Sequence, residues 1–266
     1  MAELSNETRA ELIDVAHALA DAAREATLVH FRSLALTAES KESQRFDPVT
    51  VADRLSEDRM RAILAQRRPQ DGILGEERGS QAGTTGLTWV LDPIDGTRSY
   101  LAGTPTWGVL ISVADETGPI YGIIDQPYIG ERFEGGFGRA QMQGPHWQRA
   151  LATRGPRALA DCLIMSTFPE VGTADEAAAF HRLARQCRLT RYGTDCYAYA
   201  LLAAGHIDLV VEAGLQAYDV QAPIAVITAA GGVVTDWQGQ PAPQGGRILA
   251  ASCPDVHAAA LAVLNG

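Results

Sequence analysis

The stretch Trp89-Val90-Leu91-Asp92-Pro93-Ile94-Asp95-Gly96-Thr97-Arg98-Ser99 constrains this chain more than any other. Its apolar, β-prone half reads as a strand that delivers two carboxylates, Asp92 and Asp95, to its far end. Gly96 and Thr97 then offer a place for a helix to begin, so acidic oxygens and free backbone N–H groups end side by side. Carboxylates hold a metal and N–H groups hold a phosphate. Asp-Pro and Asp-Gly pairs are equally common as turn and capping chemistry, so this stretch alone leaves both explanations open.

The surrounding pattern supplies more acids at element ends. From about Asn6 to Leu36, Leu12, Val15, Leu19, Ala22, Ala26, Val29 and Phe31 recur at helical spacing and predict one long amphipathic helix. A polar segment from Lys41 leads through Asp47-Pro48-Val49-Thr50-Val51-Ala52-Asp53 into a second helix ending near Gln66, with Asp53 in its first turn. Ile73-Leu74-Gly75-Glu76-Glu77 reads as a short strand ending in acids. Trp107 to Val113, Ile120 to Asp125 and Glu131 to Glu134 predict an antiparallel meander. The Gly-, Gln- and Arg-rich segment from Gly135 to Pro156 marks the expected division into residues 1–145, α+β with the metal and phosphate motifs, and 146–266, α/β with the substrate-selecting residues; the two together can also count as one domain. Helices and strands alternate beyond it up to a last helix, Pro254 to Leu264, which predicts α/β layering.

Composition narrows the function. With 46% hydrophobic and 20% charged residues among 266, the chain is of ordinary globular type. Its apolar runs break well before the length of a membrane span. The opening Met1-Ala2-Glu3-Leu4-Ser5 has no basic region before an apolar stretch, so secretion is not indicated and a cytoplasmic location is expected. The four cysteines have no CxxC spacing and read as reduced core thiols. A net charge of −10 and the lack of a long basic run argue against a nucleic-acid partner. That charge would also repel a phosphorylated substrate, unless divalent cations invert the sign locally. Asp53, Glu76, Asp92, Asp95 and Asp219 are hard oxygen donors that suit Mg²⁺ or Mn²⁺.

Four motifs in order carry a resemblance over nearly the whole chain. Asp47-Pro-Val-Thr-Val-Ala-Asp53, Gly75-Glu76-Glu77, Trp89 through Thr97, and Tyr218-Asp219 before an apolar helix and Gly231-Gly232 resemble the inositol monophosphatase family. The resemblance implies a layered αβαβα sandwich and a Mg²⁺-dependent phosphomonoesterase with two or three ions per site, Mn²⁺ able to substitute, acting through metal-activated water and usually dimeric. Carried over by motif, Glu76, Asp92 and the Ile94 carbonyl bind a first metal, and Asp92, Asp95 and Asp219 a second. Thr97 with Asp53 positions and deprotonates the attacking water, and the N–H groups of Gly96 and Thr97 take the phosphate oxygens. Glu77 reads as supporting or structural. The family's usual Trp-Asp is Tyr218-Asp219 here, and Gln221 and Pro223 replace small residues, with the proline expected near the helix start, where a lost N–H costs least.

Within the family, Tyr192 to Tyr199, His206 to Leu215, Arg98 to Gly103 and Ile124 to Pro127 resemble the histidinol-phosphate phosphatase branch. An acid at Asp195, opposite Glu212, favours a cationic substrate, L-histidinol phosphate; Asp195 also reads as a helix N-cap. Tyr197 and Tyr199 read as packing residues. The alternatives are an inositol phosphate or another small phosphomonoester, a haloacid-dehalogenase-type phosphatase, whose two aspartates are one position closer together, and a non-catalytic metal or phosphate binder.

Overall fold

The computed structural model describes residues 4–40 and 48–266; Asp47 of the upstream motif lies outside them. Helices α1 (Asn6–Leu28) and α2 (Val51–Arg67) pack together, with the short antiparallel pair β1 (Ala38–Ser40) and β2 (Pro48–Thr50) between them in sequence. Next come β3 (Gly72–Gly75), β4 (Gly79–Gln81), β5 (Thr88–Asp95), α3 (Thr97–Ala102), β6 (Gly108–Asp115), β7 (Gly118–Gln126), β8 (Glu131–Gly136), β9 (Arg139–Gly144) and β10 (Trp147–Ala150). Their sheet runs β10-β9-β8-β7-β6-β5-β3-β4, antiparallel except where β3 lies parallel to β5. The rest of the chain gives β11 (Leu163–Ser166), α4 (Ala174–Ala184), β12 (Leu189–Tyr192), α5 (Tyr197–Ala203), β13 (Leu209–Gln216), α6 (Ala217–Ala229), β14 (Val233–Thr235), β15 (Gly245–Ala251) and α7 (Pro254–Leu264). Its sheet runs β12-β11-β13-β15-β14.

Three apolar cores stack these elements into αβαβα. Leu12, Leu19, Met60 and Leu64 of α1 and α2 cover one face of the large sheet at Trp89, Ile111 and Ile123. Val220 and Val226 of α6 and Leu202 of α5 fill the space between that sheet's other face, at Leu110, Ile124 and Phe133, and Val210 and Ile248 of the smaller sheet. Phe180 and Leu183 of α4 and Val256 of α7 close the outer face of the smaller sheet at Ile164 and Leu249. Residue 145 lies in the β9–β10 turn, and the central core draws on both sides of it.

Four local expectations change. Helix α1 stops at Leu28 rather than near Leu36: Arg32 takes φ +62°, and Phe31 turns inward to stack against Tyr100 and Trp107, each 5.2 Å away between ring centroids. The expected boundary segment holds the β9–β10 hairpin, whose outer strand is exposed along its length and so carries no apolar alternation to read. Asp195 does not cap α5, whose N-cap is Cys196 with no side-chain bond. Pro223 sits inside α6 rather than in its first turn, because the helix already starts at Ala217. Among the described residues no helix is long and apolar enough to cross a membrane.

Candidate active site

The end of β5 shows how the local sequence builds the site. β6 pairs Leu110 with Asp92 and Gly108 with Asp95, so β5 uses one residue more than its partner over this interval. In a regular strand, residues three apart point to opposite faces; the extra residue of a bulge turns both toward one side. Pro93, with no N–H for the ladder, sits in the break, and the Ile94 N–H donates to Asp92 Oδ1 at 3.0 Å. The smaller sheet repeats the device at β13, where register shifts between Glu212 and Leu215.

The carboxylates converge from separate elements. Asp92, Asp95 and Asp219 offer oxygens within 4.8 Å of one another. Glu76, on the turn after β3, lies close enough to Asp92 to push its pKa up. The three clustered aspartates are each oriented by a backbone N–H: beside the Ile94 bond to Asp92, Asp95 Oδ2 accepts from Cys196 at 2.7 Å, and Asp219 Oδ2 from Gln216 at 2.6 Å. Asp53 Oδ2 accepts from Thr50 N–H at 2.8 Å and Thr50 Oγ1 at 2.6 Å. Asp53 and Asp219 are thus the third residues of helix-capping boxes on α2 and α6, a role that fixes their direction. Thr97 Oγ1 lies 3.1 Å from the Ile94 carbonyl and 3.4 Å from Asp53 Oδ1.

Burial and mutual repulsion shift these acids upward. Asp53 is pushed up to about 6, mainly by burial and partly by Glu76. Burial, then the charges of Glu76, Asp95 and Asp219, hold Asp92 well above the carboxylate range. Asp95 is raised by burial and by Asp219 and Asp195, and Asp219 reaches about 7 for the same reasons, with Glu76 and Glu212 as the neighbouring charges. The charges that bear most on each are other carboxylates.

A cavity of about 1070 Å³ opens over this cluster, and Thr97, Asp195 and Glu212 share its wall with Glu76, Asp92 and Asp219. At its floor Gly96 takes φ +83° and caps α3 without a side-chain bond, leaving the first-turn N–H groups outside the helical ladder. A Cβ on Gly96 would stand 2.7 Å from Asp195 Cγ, so glycine serves both the left-handed turn and the close approach. Asp195, itself at φ +43°, accepts from Ser99 Oγ at 2.6 Å and Thr106 Oγ1 at 2.9 Å, both on Oδ2. Glu212 Oε1 accepts from Thr167 N–H at 2.8 Å and Thr167 Oγ1 at 2.5 Å, and its Oε2 from Tyr199 O–H at 2.8 Å.

Residues 8–265 match the model of the inositol monophosphatase family. The chain belongs to the inositol monophosphatase family. It is 36% identical over 264 residues to a histidinol-phosphatase of Streptomyces coelicolor, covering 94% of this chain and 96% of that one. A chloroplastic bifunctional phosphatase of Arabidopsis thaliana is 38% identical over 248 residues, covering 89% and 70%. The solved structure of an inositol monophosphatase from Zymomonas mobilis superposes with a TM-score of 0.85 at 37% identity, covering 99% and 100%. The protein is a phosphoric monoester hydrolase of the inositol monophosphatase type with the layered fold of that family.

The family is metal-dependent, and the donor set fits a hard divalent cation. Three carboxylates crowd together with their pKa values raised by one another, a charge imbalance that a bound cation would relieve. Several residues of the site were not singled out by sequence reasoning. Ser99, Thr106, Thr167 and Tyr199 bind the two acids of the cavity wall, and Tyr199, read as packing, is both buried and hydrogen-bonded. Ser99, inside the opening motif, was the one of the four with a local signal.

Proposed function

We propose that this phosphatase hydrolyses L-histidinol phosphate to L-histidinol and phosphate in histidine biosynthesis, with Mg²⁺ as its ion, two or three per site and Mn²⁺ able to substitute, as a cytoplasmic homodimer. The observation that carries the substrate is Asp195: an acid under the phosphate corner, tied to Ser99 and Thr106 and sharing the cavity wall with Glu212. An amine on the substrate complements that wall; a neutral polyol leaves the acids without a counter-charge.

Glu76, Asp92 and the Ile94 carbonyl are the residues to hold one ion, and Asp92, Asp95 and Asp219 another. Bound there, Mg²⁺ supplies charge neutralisation for the phosphate and a more acidic water. The N–H groups of Gly96 and Thr97 take phosphate oxygens. The Thr97 hydroxyl orients the attacking water and passes its proton to Asp53, whose pKa near 6 suits a base at neutral pH. Asp195 Oδ1 and Glu212 Oε2 carry fewer bonds from the fold than their partner oxygens and receive the substrate ammonium.

A second reading, myo-inositol 1-phosphate, is favoured by the name of the Zymomonas mobilis relative at 37% identity. Phosphate release with Mg²⁺ separates them. L-histidinol phosphate is expected to give the higher kcat/KM, and Asp195→Ala to raise its KM about tenfold, the size of one charge-assisted hydrogen bond, while leaving the inositol ester within twofold. A higher kcat/KM for the inositol ester, or equal effects of Asp195→Ala on both, would sink the histidinol reading.

A further inference from the structure

Helix α2 carries a second buried acid one turn beyond Asp53. Glu57 is fully buried, yet it is not one of the three clustered aspartates. Its Oε2 accepts from the Glu77 N–H at 2.7 Å, and its Oε1 from the Arg78 N–H at 3.2 Å and from Arg61 Nε at 2.7 Å. Arg61 continues around the same turn, with Nη2 donating to the Gly79 carbonyl at 2.5 Å. Side chains four apart on a helix share a face, so Glu57 and Arg61 both address the corner between β3 and β4, one turn after Asp53 meets Thr97.

We infer that Glu57 is a positioning residue for the metal ligand Glu76. The turn at 76–78 lies between two strands, and its three N–H groups are held from two sides: that of Glu76 donates to the Leu91 carbonyl of β5 at 3.2 Å, and those of Glu77 and Arg78 donate to Glu57, while Arg61 anchors the Gly79 carbonyl beyond. Gly75 is the complement of this arrangement, because a Cβ there would fall 2.0 Å from Glu57 Oε1. Room for the Glu57 carboxylate therefore depends on a residue without a side chain next to Glu76. The helix that presents the base Asp53 from its first turn also holds the backbone that presents Glu76, so one rigid element sets the spacing between base and ligand.

The inference rests on Glu76 being a metal ligand, and the test keeps the two apart. Mn²⁺ binding to the substrate-free protein is read from the loss of the free-ion paramagnetic resonance signal. Glu57→Gln keeps the shape but turns an N–H₂ group toward donors, and it is expected to weaken Mn²⁺ binding at least about tenfold, as loss of a ligand-orienting partner does. The Mn²⁺ concentration for half-maximal activity rises by the same factor, with kcat at saturating metal changed less. Asp71→Asn is the structural control: Asp71 is equally buried and holds Arg68, Thr85 and Trp89, and its loss should lower Tm with Mn²⁺ affinity unchanged. If Glu57→Gln lowers Tm but binds Mn²⁺ as the parent does, while Glu76→Gln binds it weakly, the positioning role is overturned and the ligand reading stands. If Glu76→Gln also binds normally, the ligand reading fails, and the positioning role with it. Should Glu57→Gln not fold, Arg61→Lys takes its place: weakening of threefold or more supports the role, and unchanged affinity overturns it.

Discussion

The large sheet buries acids in two places and treats them in opposite ways. Between α1 and strands β7 and β8, Asp125 accepts from Arg24 at 2.6 Å and from Arg132 at 2.7 Å. Arg132 also reaches Asp21 at 2.7 Å and His17 Nδ1 at 3.0 Å, so His17 donates its Nε2–H to Glu134 at 2.9 Å. Burial pushes Glu134 up, but bonds from His17 and Tyr121 and the charge of Arg139 outweigh it and bring it down to about 2. At the end of β5, by contrast, Asp92 and Asp95 have chiefly other carboxylates as charged neighbours, and burial raises them. Opposite pKa directions, set by cationic partners in one place and by burial among like charges in the other, separate an acid that holds the fold together from one that the fold holds in readiness for a cation.

The comparison breaks most sharply under single substitution. Asp92→Asn should reduce phosphatase activity by roughly 10³-fold or more, the loss of several kcal/mol of electrostatic stabilisation, while leaving the metal-free protein as stable as before or more so. Asp125→Asn should do the reverse: it takes the buried carboxylate from Arg24 and leaves Arg132 with Asp21 as its carboxylate partner, and it costs about 3–5 kcal/mol in urea unfolding, with kcat per folded molecule unchanged. A destabilised Asp92→Asn would erase the distinction.

Metal addition gives the next effect. At a hundred times its Kd, Mg²⁺ should stabilise the protein by about 2.7 kcal/mol, seen as a rise in Tm, and that rise should vanish in Asp92→Asn but persist in Asp125→Asn.

Acid titration sharpens the contrast further. Asp53, raised to about 6, and Asp219, raised to about 7, bind protons in the folded state before the unfolded chain does. Stability of the metal-free protein therefore increases as pH falls from about 7 toward the unfolded values near 4. Glu134 has the opposite sign: its contribution is complete above the unfolded value of 4.5 and is lost as pH falls toward 2. Denaturation across pH should thus show a maximum near pH 4 in the presence of a chelator, and saturating Mg²⁺ should flatten the limb above it. A metal-free stability curve that rises from pH 4 to 7 would contradict the assignment of the β5 cluster.

The smallest effect concerns the acids of the cavity wall, tied by hydroxyls rather than by cations. Ser99→Ala removes one of two donors to Asp195 and should change KM for L-histidinol phosphate by about two- to threefold, one neutral hydrogen bond's worth, with kcat nearly constant.

Much of this arrangement was legible in the sequence because it is local. Asp92, Asp95, Gly96 and Thr97 are neighbours, and the strand-to-helix transition is written in residue types. The layered fold and the order of elements followed from the same periodicities and from the family resemblance. What escaped depends on partners far away in the chain. Nothing near Glu57 announces that it meets Glu77 and Arg78, nor does Asp195 announce Ser99 and Thr106, and so a helix cap was expected there. Pro223 was placed at a helix start because no local signal marked Gln216 as the cap. The β9–β10 hairpin lacks apolar alternation because its outer strand faces solvent.

The bond from Cys196 N–H to Asp95, with those from Ser99 and Thr106 to Asp195, joins residues 101, 96 and 89 positions apart. During synthesis the opening motif leaves the ribosome long before residues 195–219 exist. An N-terminal nascent chain can pair β5 with β3 and β6, yet it has neither the N–H that orients Asp95 nor Asp219 beside it. Formation of the acidic cluster is thus postponed to the docking of the second sheet, late in a fold rich in non-local pairings. The crowding of like charges, costly at every earlier stage, arises only when the rest of the molecule is present to hold it.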